Sequence, residues 1–466
     1  MRLNRAWCSK FHPFLKLNPS TYYWILSLET KQITLFPLLF SNFVGTLGFS
    51  IVLPFLVFLV VDFGGNSIIY GILSSVYPAF QLIGAPILGR WSDSFGRKKV
   101  LLISTAGTLI GWIIFLLALY VPKIALIDIN TAFIGAFTLS LPLVVLFIAR
   151  AIDGITGGNV SVANAYIADL SDEKTRSKNF GKMAISSNLG FIVGPALAGI
   201  LGGTIYGNTL PVIVAIFVSF VAFIAIWVFL KESKIGTRVI QPIQKNSVQR
   251  AYSYECKDCF KPPNPDKLKF KDIFKLKNIP ILMILNFFIF LGFNIFYTSF
   301  PIHAVSSLKW TITEMGIFYA VLSGLMILVQ GPILRKASQI LSEGNLIIIG
   351  SLILGVNFVL FYSNNIILIY VAAILFAVGN GLMWPSFMSI LSKFAGKLHQ
   401  GAVQGVASSI GSLASIIGLI IGGFLYNSIG SPTFLIAASI IFVVFALSFK
   451  IIKIQRTFEP NQDHDL

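Results

Sequence analysis

Apolar residues run along this chain in blocks of membrane length, parted by narrow polar seams. No Asp, Glu, Lys or Arg occurs in 32–61, 63–89, 100–122, 183–230, 278–308, 315–334, 344–392 or 398–449. A hydrocarbon core needs about 20 apolar helical residues to be crossed, so each block predicts at least one spanning helix. Three blocks are long enough for two, and each carries turn residues midway: Gly207-Asn208, Ser363-Asn364-Asn365, and Asn427 to Pro432. One further helix ends at Asp169 and is interrupted only by Arg150 and Asp153. The pattern predicts an all-α membrane protein of twelve transmembrane helices.

Composition agrees. Of 466 residues, 56% are hydrophobic and 11% charged, against about 25% charged in soluble domains. The formal charge of +17 would suit nucleic acid, but its distribution argues for a bilayer instead. With the N-terminus cytoplasmic and sides alternating, 32 of 35 Lys and Arg fall inside, 12 of them in one central loop. Only Lys123 and Lys309 fall outside, and Arg150 lies within a span. That is the positive-inside pattern, so both termini are expected in the cytoplasm and no nucleic-acid partner is expected. The first apolar run follows a basic segment and reads as a retained span rather than a cleaved signal. Cys8, Cys256 and Cys259 all fall in cytoplasmic segments, where a disulfide framework is not expected. Cys256-Lys-Asp-Cys259 is a single pair, short of the four ligands of a closed zinc site.

The expected organisation is a cytoplasmic segment (1–32), a six-helix bundle (33–230), a basic linker (231–278), a second six-helix bundle (279–455) and a tail (456–466). The bundles repeat. At an offset of 224, span 5 falls on span 11: Gly181 meets Gly405, Gly194 meets Gly418 and Gly199 meets Gly423. Spans 2 and 8 match at 246, where Pro86-Ile87-Leu88 meets Pro332-Ile333-Leu334. The difference of 22 implies extra residues around 121–142, between spans 3 and 4. Parallel duplicated halves place a substrate site between them, near the midplane.

Between spans 2 and 3 the chain reads Gly89-Arg-Trp-Ser-Asp93-Ser-Phe-Gly96-Arg97-Lys98-Lys99. Two glycines permit a sharp turn, and one acid stands among cations. This resembles motif A of the major facilitator superfamily, with Ser94 where the family usually has Arg or Lys. The resemblance implies that Asp93 latches one side of the protein when the other is open. It also implies that Arg97 reaches the acid closing span 4, here Asp169. The equivalent loop of the second half has Arg335, Gln339, Ser342 and Glu343 at the matching positions, and so is expected to have lost this chemistry.

Span 5 carries Gly181, Gly190, Gly194-Pro195 and Gly199, which resembles motif C of the drug:proton antiporters. Gly190, Gly194 and Ala198 share one helix face, and small residues at that spacing admit a close neighbour. Pro195 removes a helical hydrogen bond. The resemblance implies a boundary that moves between the halves, and export rather than import.

Span 4 reads Arg150-Ala-Ile-Asp153-Gly154, then Gly157-Gly158, and resembles motif B. Arg150 and Asp153 share a helix face. An ion at the helix centre costs at least about 2.5–3.5 kcal/mol, which a mutual pair lowers. Asp153 is the only carboxylate inside any expected span, and so is the candidate for proton coupling together with Arg150. The other reading puts both charges near the outer interface, since Asp169 lies about 28 Å further along a continuous helix. In span 1, Gly45 stands where many proton-coupled exporters place an acid, with Asn42 one turn earlier as a source of polarity.

The family architecture implies a cavity lined by spans 1, 4, 7 and 10. Candidate substrate contacts are Asn42, then Asn286, Phe290, Asn294 and Tyr297 in span 7, then Asn380 and Trp384 in span 10. Aromatic walls with a few amides suit a bulky amphiphile. The resemblance covers roughly 33–455 and is nearest the tetracycline-resistance-like branch. It implies a monomeric secondary transporter in a cell inner membrane, driven by the proton gradient and without a cofactor. There is no Gly-x-x-x-x-Gly-Lys-Ser/Thr for ATP. An uptake carrier or uniporter is the alternative, and a transporter-like receptor or scaffold acting through the linker is an alternative of another class. No metal-ligand or nucleophile cluster points to an enzyme.

Overall fold

A computed structural model describes residues 35–52, 54–131, 134–157, 159–170, 176–232, 273–276 and 278–458. Most of the linker with its two cysteines, both ends of the chain and the side chains of Asp93 and Gly181 lie outside the described residues. Among the described residues ten helices are long and apolar enough to cross a membrane, and a bent pair makes an eleventh.

That pair is span 1. Helix α1 (Phe36–Ile51) and helix α2 (Leu56–Asp62) meet at a bend of 43°. Pro54 lies in the break, where it has no N–H to continue the helix. Span 2 is α3 (Ser67–Phe95), started by Asn66, whose side chain accepts from the backbone of Ile68 and Ile69. This satisfies two of the four donors that a helix start leaves open. Gly96, at φ +102°, separates it from α4 (Arg97–Tyr120), which is span 3.

Span 4 is broken rather than continuous. Helix α5 (Leu141–Thr156) and helix α6 (Asn159–Leu170) are each too short to cross alone, and α5 ends at Gly157. Neighbouring spans hold the freed carbonyls. Gln81 Nε2 donates to Gly157 at 2.9 Å, and the Ser104 hydroxyl donates to Thr156. Spans 5 and 6 are α7 (Arg176–Gly202), with Pro195 inside it, and α8 (Thr209–Phe229).

Where the repeat offsets diverge, the chain forms a small antiparallel hairpin, β1 (Ala125–Thr131) with β2 (Gly135–Ser140). It is pinned to the loop after span 1: Thr138 N–H donates to the Gly64 carbonyl, and Ser140 Oγ to that of Phe63. This hairpin marks one end of the molecule. The other, holding Gly96 and the start of the linker, is the basic end.

The second half repeats the plan with α9 (Ile279–Ser306) as span 7 and α10 (Ile312–Leu328) opening span 8. Thr311 and Glu314 cap α10 reciprocally. A π-helical turn, Val329–Ile333, carries Pro332 and leads into α11 (Leu334–Ile340). Span 9 is α12 (Glu343–Leu360). Helical bonding then runs from Ile366 to Ile429 as α13, which a straight rod would extend to about 96 Å. It is folded back on itself. Phe290 and Tyr297 of span 7 meet Trp384 and Phe376, so the first stretch runs antiparallel to span 7. Asn286 and Asn294 meet Ala407 and Ser415, so the second stretch runs parallel to it. These are spans 10 (Ile366–Ala395) and 11 (Val403–Ile429). Helix α14 (Thr433–Phe458) is span 12.

The two repeats make the same contacts. Gly194 packs on the backbone of span 1, and its mate Gly418 on the backbone of span 7. Gly199 abuts Gly316 of span 8, and its mate Gly423 abuts Gly71 of span 2. A Cβ on any of these last four would collide with backbone of the opposite half. All four lie toward the hairpin end, so the halves close on each other there. Toward the basic end Gly89, Gly331 and Gly405 have no neighbour within 4 Å of a notional Cβ, and no described glycine there meets the other half.

One part of the loop chemistry persists in the second half, although the acid and both glycines of motif A are replaced there. Glu343 pairs with Lys393 at the end of span 10 and accepts from Ser389 and Gln455. Residue 343 is the mate of Arg97 and 393 the mate of Asp169 at the two offsets. The ion pair is kept with its signs exchanged.

Candidate functional site

A cavity of about 440 Å³ lies between the halves. Span 1 contributes Thr46 and Phe49, and span 5 contributes Ser187, Asn188 and Phe191. Span 7 contributes Phe290, Phe293, Asn294 and Tyr297. Met326 and Gln330 come from span 8, the latter from the π-helical turn, and Asn380 and Trp384 from span 10. Ser408, Ser415 and Leu419 of span 11 complete the wall. A smaller void of about 40 Å³, lined in part by Pro195, shares Phe191 and Tyr297 with it.

Five of the seven residues expected at the solute therefore face the cavity: Phe290, Asn294, Tyr297, Asn380 and Trp384. Asn42 and Asn286 do not. Asn42 donates to the Met183 carbonyl and to Ser187 Oγ at 2.6 Å, tying span 1 to span 5. Asn286 donates to the Ala407 carbonyl at 2.7 Å, tying span 7 to span 11. A buried amide without a partner is costly, and for both of them the nearest partner is the adjoining helix. The expected set of lining helices also changes. Spans 5, 8 and 11 join the wall, and no described side chain of span 4 does. The missed residues had a signal in the sequence, because Thr46 with Phe49, Asn188 with Phe191 and Met326 with Gln330 recur at helical spacing.

Arg150 and Asp153 stand 3.5 Å apart with side chains 4% and 8% exposed. Both side chains are buried within the bundle. Asp153 is within hydrogen-bonding reach of Thr108, midway along span 3. The guanidinium lies 4.9 Å from the ring of Tyr77. Tyr77 in turn packs on Phe49, at 5.1 Å between ring centres, and Phe49 is part of the cavity wall. One layer of rings thus separates the ion pair from the cavity.

Motif A is tied within its own half. Arg97 Nε donates to Asp169 at 2.9 Å, and its Nη1 to Ser92 at 2.6 Å. The Lys98 backbone donates to Glu232, and its ammonium to the Trp227 carbonyl. Gly96 leaves room for the Glu232 carboxylate, and Gly89 faces open space. The motif C face divides into two jobs. Gly190 and Gly194 admit the backbone of span 1 and the Ser50 hydroxyl, inside one half. Of the glycines of this motif whose surroundings are described, Gly199 is the one that meets the other half.

The sequence model of the Major Facilitator Superfamily matches residues 38–356 and 282–464. The chain is similar to the class E tetracycline resistance protein of Escherichia coli, at 27% identity over 83% of this chain and 86% of the relative. It is similar to multidrug resistance protein 2 of Bacillus subtilis, at 26% over 90% and 95%. Among solved structures, the human organic anion transporter MFSD10 superposes with a TM-score of 0.62 at 18% identity, over 90% of this chain and 99% of that one. A D-xylose–proton symporter superposes with 0.67 at 14%, over 92% and 98%. Twelve crossing segments in two repeated halves, a cavity between them and a family match along nearly all of the described residues agree: this chain is an integral, multi-pass membrane protein that belongs to the major facilitator superfamily of transporters.

Proposed function

We propose that the protein is a proton-coupled exporter of drug-like, amphiphilic small molecules working by alternating access. The observation that carries this reading is the cavity between the halves, walled by rings, amides and hydroxyls, with the buried Arg150–Asp153 pair one ring layer behind it. Protonation of Asp153 would leave Arg150 without its counter-charge and shift span 4 against spans 2 and 3. The basic end faces the cytoplasm, as does each terminus, and the membrane is the cell inner membrane. The described conformation is then the inward-open one. Gly199 and Gly423 belong to the outer seal. The relatives named for tetracycline and multidrug resistance incline the reading toward export. The protein works as a monomer and takes its energy from the proton gradient rather than from a cofactor.

The test uses purified protein in liposomes with an imposed pH gradient and a panel of dyes and tetracyclines. Flux driven by the gradient in wild type and lost in Asp153→Asn is the expected result. Flux indifferent to the gradient would reject antiport. A uniporter is the second reading, favoured by Gly45 in span 1 and by a cavity wall without a carboxylate.

A further inference from the structure

The cavity wall contains no Asp, Glu, Lys, Arg or His among the described residues. This follows from the helices that build it rather than from rotamer choice. Its lining residues come from spans 1, 5, 7, 8, 10 and 11, and these lie within the stretches 32–61, 183–230, 278–308, 315–334, 344–392 and 398–449, where the sequence has no Asp, Glu, Lys or Arg. The buried ion pair belongs to span 4 and is screened from the cavity by Tyr77 and Phe49. Asp153 and Arg150 are moreover engaged with each other.

We infer that the site takes its solute as an uncharged aromatic amphiphile, and that it discriminates against permanently charged compounds of either sign. This deepens the proposed transport function and rests on it. The physical ground is that a charge carried into a buried site without a counter-ion loses its hydration and gains no matching partner. Ring faces attract a cation, but that attraction offsets only part of the loss, and toward an anion the same faces are repulsive. Neutral polar groups on the solute would instead meet Asn188, Gln330 and Asn380, which can both donate and accept, and the Asn294 Oδ1, which can accept while its amino group is held by Phe290 and Ser415. The aromatic body would pack against Phe191 of one half and Tyr297 of the other, whose rings meet edge to face with centres 6.0 Å apart. Solute and proton then occupy different places, and coupling between them runs through Tyr77 and Phe49.

The experiment measures equilibrium binding to the full-length protein in nanodiscs, with empty nanodiscs subtracted. Three probes share an anthracene body and differ in one arm: hydroxyethyl, trimethylammonioethyl or carboxyethyl. The hydroxyl probe should bind at least tenfold tighter than either ion. Asn380→Asp, or Asn294→Asp if that variant fails to fold, should raise the affinity of the trimethylammonium probe at least tenfold. Equal or tighter binding of either ion by the wild type overturns the inference, as does wild type binding none of the three. Because no gradient is imposed, the outcome is separable from that of the flux assay. Gradient-independent flux with the neutral probe preferred would reject proton coupling and leave this inference standing.

Discussion

Arg150 and Asp153 show how one side-chain contact constrains any test of function. Removing one partner of a buried pair costs about 3–5 kcal/mol, because the other charge is left uncompensated. Asp153→Asn is therefore expected to lower the unfolding temperature as well as to abolish coupling. Arg150→Gln with Asp153→Asn removes both charges and should recover most of the thermal stability in detergent without recovering gradient-driven flux. If the double variant transports normally, the pair is structural. Gly199 is sensitive for a different reason. A Cβ there meets the Gly316 backbone, and backbone cannot step aside as a side chain can. Gly199→Val should hold the halves apart at the hairpin end, reducing transport severely while leaving the helical content unchanged by circular dichroism.

Among the elements, span 4 departs most from its sequence pattern. A continuous helix was expected from Arg150 to Asp169, but α5 ends at Gly157, about one turn beyond Asp153. The break is held from outside by Gln81 and Ser104. Gln81→Leu leaves the Gly157 carbonyl without its donor and should cost about 1–3 kcal/mol, read as a lower midpoint of thermal unfolding. The exchanged ion pairs are a second feature of this scale. Arg97–Asp169 and Glu343–Lys393 each clamp a loop to the end of a neighbouring helix. Charge is interchangeable at such a clamp provided the signs stay opposite. Glu343→Lys should lower transport, and adding Lys393→Glu should restore it. Failure of the restoration would mean that Ser389 and Gln455, rather than the ion pair, hold Glu343.

For the whole molecule, glycine contacts between the halves at one end, and none described at the other, predict correlated movement. Ile205 and Tyr362 are exposed near the hairpin end of the two halves, and Phe95 and Ile340 near the basic end. Spin labels on the first pair should report a short distance in the described state, and solute with a proton gradient should lengthen it. The second pair should shorten at the same time. Distances that change in the same sense would exclude rocking about the cavity.

Length of apolar blocks, asymmetry of basic loops and the internal repeat fixed twelve crossings in two halves from the sequence alone. Each of those features is local or periodic, and a bilayer leaves a charge-free block of 20 or so residues little choice but a helix. The spacing of Phe290, Asn294 and Tyr297 likewise made one cavity face legible. What the tertiary structure decided was direction. Asn42 and Asn286 have the same chemistry as Asn294 and Asn380, yet they bind neighbouring helices because packing turns their faces away from the cavity. The exchanged pair Glu343–Lys393 was hidden because its members lie far apart in the chain and match their counterparts in position but not in charge. The ion pair of span 4 was hidden from the cavity by the rings of Tyr77 and Phe49 from spans 2 and 1, a placement that no composition reveals. Rotation about a helix axis is set by which neighbour fits which face, and that is a property of the assembled bundle.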